Sequence, residues 1–423
     1  MKVIERRYLL PFVLVTSLFA LWGLANNMTD TLLAAFRKIM QMSDTQTSFI
    51  QMAFYGAYFC LALPAALFIR RHSYKSGVIL GLLMYATGAI LFLPAAWTES
   101  YLFYLVAIYI MAAGCSVLET TANPYIMSMG SAETATRRLN IAQSFNPIGS
   151  IVGILVSKYF ILQDISLYSV SGTYAFLGAV LLVIMLVMLF VRMPEGKDAA
   201  GGSSLSSTFR RLLRNKHYAW GVVAQFFYVG AQICVWSFTI RLVMHELGHV
   251  ESEAATLYLA SIVGFCASRF VYTWLMKFVA PARLLFWGGV LSALSTLAVV
   301  VASGWTCVVA LVLVSIFMSL MFPTIYGIAL GSLTSGAAAD GHPASADAAD
   351  GCPASTDAAD GCAVSSGDVK IGASGLIMAI LGGALLTPVQ GIVSDLAGIN
   401  QSYLVPFGCF LVVMFYAQSC KKT

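Results

Sequence analysis

The sequence predicts an all-α polytopic membrane protein, with twelve transmembrane helices in two pseudo-symmetric six-helix bundles. Composition, a series of span-length apolar runs and a lopsided distribution of positive charge carry that prediction. Of 423 residues, 59% are hydrophobic and 10% charged, and mean hydropathy is +0.83. A soluble chain carries roughly 25% charged residues. A chain this long and this apolar takes the bilayer as its solvent. The net charge of +5 is too small to suggest a nucleic-acid partner.

A helix needs about 20 apolar residues to cross the hydrocarbon. Six stretches in the first half qualify: Leu9–Leu33, Ser48–Phe68, Ser76–Ala96, Tyr101–Met127, Leu139–Leu162 and Tyr174–Val191. Six more follow: Tyr218–Val243, Ala254–Val279, Leu284–Ala302, Thr306–Gly331, Ile371–Leu396 and Tyr403–Ala417. The first comes directly after Lys2, Arg6 and Arg7 and lacks a small-residue cleavage site, so it reads as a retained span. With the N-terminus in the cytoplasm, 20 of the 24 Lys and Arg residues fall inside, and 4 (Arg37, Lys38, Lys158 and Arg241) fall outside. That asymmetry sets orientation. An inner (cytoplasmic) membrane protein with both termini in the cytoplasm is expected.

Two polar segments interrupt the spans. Residues 194–217 are Gly/Ser-rich and then basic, which reads as a cytoplasmic linker between units 1–193 and 218–423. Farther on, ADGHPASADA, ADGCPASTDA and a third ADGC form a decapeptide repeat. With no bulky apolar residue it cannot bury a core, so 337–369 reads as a low-complexity cytoplasmic insertion. His342, Cys352 and Cys362 recur at a spacing of ten. Soft ligands on such a loop are a weak metal signal, and slippage of a short repeat explains them better. The nine cysteines form no CxxC pair and mostly lie in apolar runs, as small buried residues do. No metal or cofactor is implied. The five His lie in or beside loops, and His245, Glu246 and His249 read as a solvated face. No catalytic set points to an enzyme, and the scattered polar groups do not make the continuous ring a channel needs.

Polar groups inside the spans carry the functional reading. An ionisable residue there costs about 2.5–3.5 kcal/mol on insertion scales. Asp30 lies in the outer part of the first span and Glu119 near the middle of the fourth. Arg269 and Asp395 lie near span ends, where snorkelling to water is the ordinary explanation. Asn26 and Asp30, like Glu119 and Asn123, are four apart and share a helix face. The fifth span adds Asn140, Gln143 and Asn146 at three-residue steps. The seventh adds Gln225, Tyr228, Gln232 and Trp236 along one face, and Tyr125 and Tyr326 add hydroxyls. Carboxylates and amides bond sugar hydroxyls, and an aromatic ring packs on the apolar ring face. A lone Asn in a span more often serves as a hydrogen-bond partner between helices. Gly149, Gly153, Gly382, Gly383 and Pro388 read as close-packing and kink sites.

The motifs also carry a resemblance. LWGLANNMTDTLL (Leu21–Leu33), FIQMAFYGAYF (Phe49–Phe59), RRHSYKSG (Arg70–Gly77) and LETTANPYI (Leu118–Ile126) resemble the L-fucose:proton symporter family of the major facilitator superfamily. So do RLNIAQSFNPIGSI (Arg138–Ile151), AQFFYVGAQICVWSF (Ala224–Phe238), FPTIYGIALGSL (Phe322–Leu333) and GGALLTPVQGIVSDLAG (Gly382–Gly398). The resemblance implies proton-coupled import of L-fucose by alternating access. Glucose or galactose, with protons or sodium, is the alternative. It further implies that Asp30 is the proton-coupling carboxylate, that Glu119 lies in the sugar site, and that Gln143 and Asn146 face the cavity. The expected partners are the sugar, the coupling ion and the bilayer, with a single chain as the working unit. The decapeptide insertion and the short connection Gln163–Gly172 depart from the family pattern.

Overall fold

A computed structural model describes residues 3–4, 6–39, 44–161, 166–194, 205–339 and 366–420. Within its first two helices, the side chains of 25–26, 29–39, 44–49 and 51 lie outside the described set. The first half comprises α1 (Leu9–Ile39), α2 (Asp44–Arg71), α3 (Tyr74–Thr98), α4 (Tyr101–Ser128), α5 (Ala132–Val156) and α6 (Leu167–Phe190). The second comprises α7 (Lys216–Leu247), α8 (Glu251–Leu275), α9 (Pro281–Val301), α10 (Gly304–Leu333), α11 (Gly367–Ala397) and α12 (Ile399–Cys420). Among the described residues, 11 helices are long and apolar enough to cross a membrane, and α1 adds the shorter apolar stretch Leu9–Leu24.

Packing follows one plan twice. In the first half α1 packs on α5, α2 on α4, and α3 on both α4 and α6. In the second half α7 packs on α11, α8 on α10, and α9 on both α10 and α12, the same set displaced by six helices. The halves meet where α2 and α4 lie against α11, and where α5 lies against α8 and α10. Glycine permits the closest of these approaches. A Cβ on Gly149 would collide with the Ala20 carbonyl of α1, and one on Gly382 with the Phe226 carbonyl of α7. These are equivalent crossings in the two halves.

Two helices at the seam are broken by proline. A proline has no N–H, so the carbonyl four residues earlier loses its helical donor. In α5 the helix runs Ala135–Gln143 and restarts at Asn146, with Pro147 next. In α10 it runs Gly304–Met318 and restarts at Met321, ahead of Pro323. The deprived carbonyls are those of Gln143 and Ser319.

The face where α1 begins and α12 ends is held by buried polar contacts. Arg138 is fully buried. Its guanidinium donates to the carbonyls of Ile126 (2.8 Å), Val3 (3.0 Å) and Met127. A linker helix, Leu205–Arg214, precedes α7. Its Arg211 donates to both oxygens of Asp368 at 2.9 Å, and Thr208 donates to the same carboxylate at 2.6 Å.

That contact narrows the insertion expected over 337–369. The α10 helix continues to Ala339 and the α11 helix begins at Ser366. Asp368, 1% exposed, is therefore part of the folded framework. Residues 340–365, with His342, Cys352 and Cys362, lie outside the described residues, as does 195–204 of the linker. Replacing 340–365 with a short Gly/Ser connection is expected to leave uptake near normal. A deletion that also removes Asp368 is expected to lower the melting temperature. Labelled-sugar uptake normalised to membrane level decides the first point; lost transport at normal level would make the repeat a working part.

On the opposite face the expectation of a solvated Glu246 is corrected. Its side chain is 7% exposed. It accepts from the Gly304 backbone N–H at 2.6 Å and from Asn400 Nδ2 at 2.7 Å. Glu246 thereby ties the end of α7 to the first turns of α10 and α12. Gly304 sits at φ +60, where glycine is favoured. Among the described residues no group of three His, Cys, Asp or Glu could hold a metal ion.

Candidate substrate site between the two halves

The site is built around Glu119 of α4, which is 7% exposed. Asn123 follows one turn later and lies within reach of its carboxylate. Tyr58 of α2 and Tyr326 of α10 are within electrostatic range of the same group. The Tyr58 hydroxyl accepts from Trp22 Nε1 of α1 at 2.6 Å. Gln143 of α5 donates through Nε2 to Asn123 Oδ1 at 2.9 Å. Within the first half α4 and α5 thus supply the carboxylate and the amides, α1 and α2 supply Trp22 and Tyr58, and α10 reaches in from the second half.

The second half answers with Arg269 of α8. This side chain does not snorkel to water, as its place near a span end suggested; it is 3% exposed. Its Nη1 donates to the Gln143 carbonyl at 3.0 Å, and its Nε donates to the Ser319 carbonyl at 2.6 Å. Those are the two carbonyls that Pro147 and Pro323 leave without helical donors. One guanidinium therefore completes a broken helix in each half. It also lies 4.6 Å over the Phe265 ring, which packs edge-on against Trp236 with centroids 5.0 Å apart. Tyr228 lies in electrostatic range of Arg269 and beside the backbone of Phe322.

Several polar atoms here are buried without a protein hydrogen-bond partner. Among them are both amide atoms of Gln225, the indole N–H of Trp236, the hydroxyls of Tyr228 and Tyr326, and Nδ2 of Asn123. Each such atom costs about 1–3 kcal/mol. Their grouping along α7 and opposite Glu119 marks a surface suited to a ligand rich in hydroxyls.

The other expected site residues sort differently. Gln232 is half-buried on α7 between Tyr228 and Trp236. Asn146 donates to the Phe19 carbonyl at 3.2 Å, so its amide joins α5 to α1 in the ordinary helix–helix role. Tyr125 donates to the Pro194 carbonyl at 3.3 Å and holds the chain that leaves α6. Asn26 and Asp30 are on α1, and their side chains lie outside the described residues. Contacts across the seam continue toward the face of the termini. Thr324 donates to Asn140 Oδ1 at 3.4 Å, Ser144 and Thr273 hydroxyls are 3.5 Å apart, and a Cβ on Gly327 would stand 2.8 Å from Thr136.

Residues 13–341 match the family model described as Major Facilitator Superfamily. The chain belongs to the major facilitator superfamily. Its two six-helix bundles are that fold, and it is a multi-pass membrane transporter. Among superfamily members it is 38% identical to an L-fucose-proton symporter of Haemophilus influenzae, over 98% of this chain and 97% of the relative. It is 34% identical to one of Escherichia coli, over 99% and 95%. A glucose/galactose transporter of Brucella abortus is 27% identical over 97% and 94%. Among solved superfamily structures, FucP in the outward conformation superposes with a TM-score of 0.83 at 34% identity, covering 99% of this chain and 100% of that one. The proton:xylose symporter XylE, at 12% identity and a TM-score of 0.72 over 96% and 95% of the two chains, shares the fold.

Proposed function

We propose that this chain is a proton-coupled symporter that imports L-fucose, or a hexose of closely similar hydroxyl pattern, by alternating access. The observation that carries the reading is the buried Glu119–Asn123–Gln143 set facing unpartnered Gln225, Trp236 and Tyr326 across the seam. Two curated relatives, 38% and 34% identical over nearly the whole chain, are L-fucose-proton symporters. Glucose and galactose are the second reading, supported by the Brucella abortus relative.

In this mechanism the sugar lies between the halves. Glu119, Asn123 and Gln225 bond its hydroxyls, Tyr228, Tyr326 and Gln232 extend the polar surface, and Trp236 offers a ring face. Asn26 stands one turn before Asp30 on α1 and belongs to the same assembly, and Asn146 keeps α5 on α1. Asp30 carries the coupling proton. A carboxylate stripped of water costs several kcal/mol, so neutralising it lets the loaded halves rock without an unpaired charge at the seam. The face of the termini is cytoplasmic, following the charge asymmetry, and the membrane is the inner membrane. The chain works as a monomer.

Glu119→Gln removes the negative acceptor that would take hydrogen bonds from two sugar hydroxyls. Hydrogen bonds to charged groups contribute about 1.5–3 kcal/mol. Sugar affinity measured by calorimetry is therefore expected to weaken by about tenfold or more; unchanged affinity removes Glu119 from the site. Uptake of labelled fucose, galactose and glucose into vesicles, under an imposed pH gradient and then a sodium gradient, tests the function as a whole. Saturable fucose accumulation driven by the pH gradient alone is expected.

A further inference from the structure

The helix between the two bundles has more apolar surface than its docking uses. Leu205, Phe209 and Leu213 are four apart and form one stripe, exposed by 41%, 40% and 74%. Beside that stripe Thr208 and Leu212 are buried, and Leu212 packs against Gly372 of α11. At about 100° per residue, Arg210 and Arg214 fall on the side farthest from the docked edge, and both are exposed. The helix therefore shows three sectors in order around its axis: docked, apolar and exposed, basic and exposed.

Its height relative to the membrane is marked by aromatic residues. Trp220 lies about one turn into α7, Trp274 and Phe278 close the end of α8, and Trp287 is in the first turns of α9. All four are at least half exposed. Trp on lipid-facing surfaces collects at the headgroup level, and these four sit at the same end of their helices as Leu205–Arg214. The Arg211–Asp368 pair clamps the helix there.

We propose that Leu205–Arg214 is an interfacial helix whose open face binds the anionic phospholipid leaflet. Leu205, Phe209 and Leu213 enter the acyl boundary, while Arg210 and Arg214 meet lipid phosphates. An amphipathic helix with basic residues flanking an apolar stripe binds in this way, and anionic lipid strengthens it. The clamp on Asp368 transmits the lipid contact to α11, one of the helices at the seam. Lipid composition thus acts on the element that must move relative to α2 and α4.

Photo-crosslinking of the full chain in vesicles tests the proposal. The photoreactive residue p-benzoylphenylalanine replaces Leu213 and, as a control on the polar side, Ser207. The vesicles are phosphatidylethanolamine with or without phosphatidylglycerol. A lipid acyl adduct is expected at 213 and not at 207, with phosphatidylglycerol several-fold over-represented relative to its share of the bilayer. R210Q/R214Q is expected to erase that preference while lipid adducts persist. Adducts only to protein, no lipid adduct at 213, or a phosphatidylglycerol share that merely follows bilayer composition would each overturn it.

Discussion

Arg269→Met is expected to lower uptake by more than about tenfold and to lower the melting temperature of the purified chain by several degrees. The reason is the pair of carbonyls it serves. With the guanidinium gone, Gln143 and Ser319 each keep a buried carbonyl with neither helical nor side-chain donor. Each costs about 1–3 kcal/mol, and the aliphatic replacement fills the space without supplying a donor. A loss of 1.4 kcal/mol in a productive state is already a factor of about ten. Arg269→Lys is expected to fall between the two, since one compact ammonium cannot reproduce a planar fork held between two acceptors. The bond to Ser319 joins neighbours within one half, whereas the bond to Gln143 crosses the seam. Rocking must break the second and can keep the first. Arg269→Met with unaltered uptake and unaltered melting behaviour would remove Arg269 from both roles.

The same residue shows how far the sequence could be read. Span count, the repeated packing plan and the seam position of Glu119 follow from apolar periodicity and from the cost of a mid-span carboxylate. Arg269 was legible too, by an argument that starts from proline. Pro147 and Pro323 each sit four residues after a carbonyl in an apolar helix, and a buried carbonyl without its N–H needs another donor. Counting those orphans points to a buried cation, where nearness to a span end pointed to snorkelling. Asn146 illustrates the opposite limit. The resemblance implied that it and Gln143 both face the cavity, but Gln143 bonds Asn123 while Asn146 bonds the α1 backbone. A three-residue step leaves two side chains about 60° apart around an α-helix, and the break after Gln143 turns the two amides apart. Asp368 was hidden for another reason. It follows directly on a low-complexity repeat, and its partners Thr208 and Arg211, 160 and 157 positions earlier, reveal it as framework. Pairings over that separation have no local signature.

Asp30→Asn is expected to abolish accumulation of sugar against its gradient while leaving exchange of labelled for unlabelled sugar within about twofold of the wild type. Moving one elementary charge across 100 mV supplies about 2.3 kcal/mol, which at about 1.36 kcal/mol per factor of ten supports an accumulation ratio of about fifty. A carrier whose α1 carboxylate is replaced by a permanently neutral amide has no proton to bring with the sugar. That accumulation ratio should collapse to one. Exchange makes no such demand. It needs only the loaded halves to rock, and the amide resembles the neutral form in which they do so. Glu119→Gln should separate from it cleanly, with weakened binding and therefore slowed exchange. The comparison also identifies the coupling ion. If a sodium gradient drives uptake in the wild type and Asp30→Asn removes that dependence, the carboxylate serves sodium. Uphill uptake at the wild-type rate in Asp30→Asn, under a pH gradient, would place the coupling group elsewhere, and Glu119 would be the next carboxylate to test.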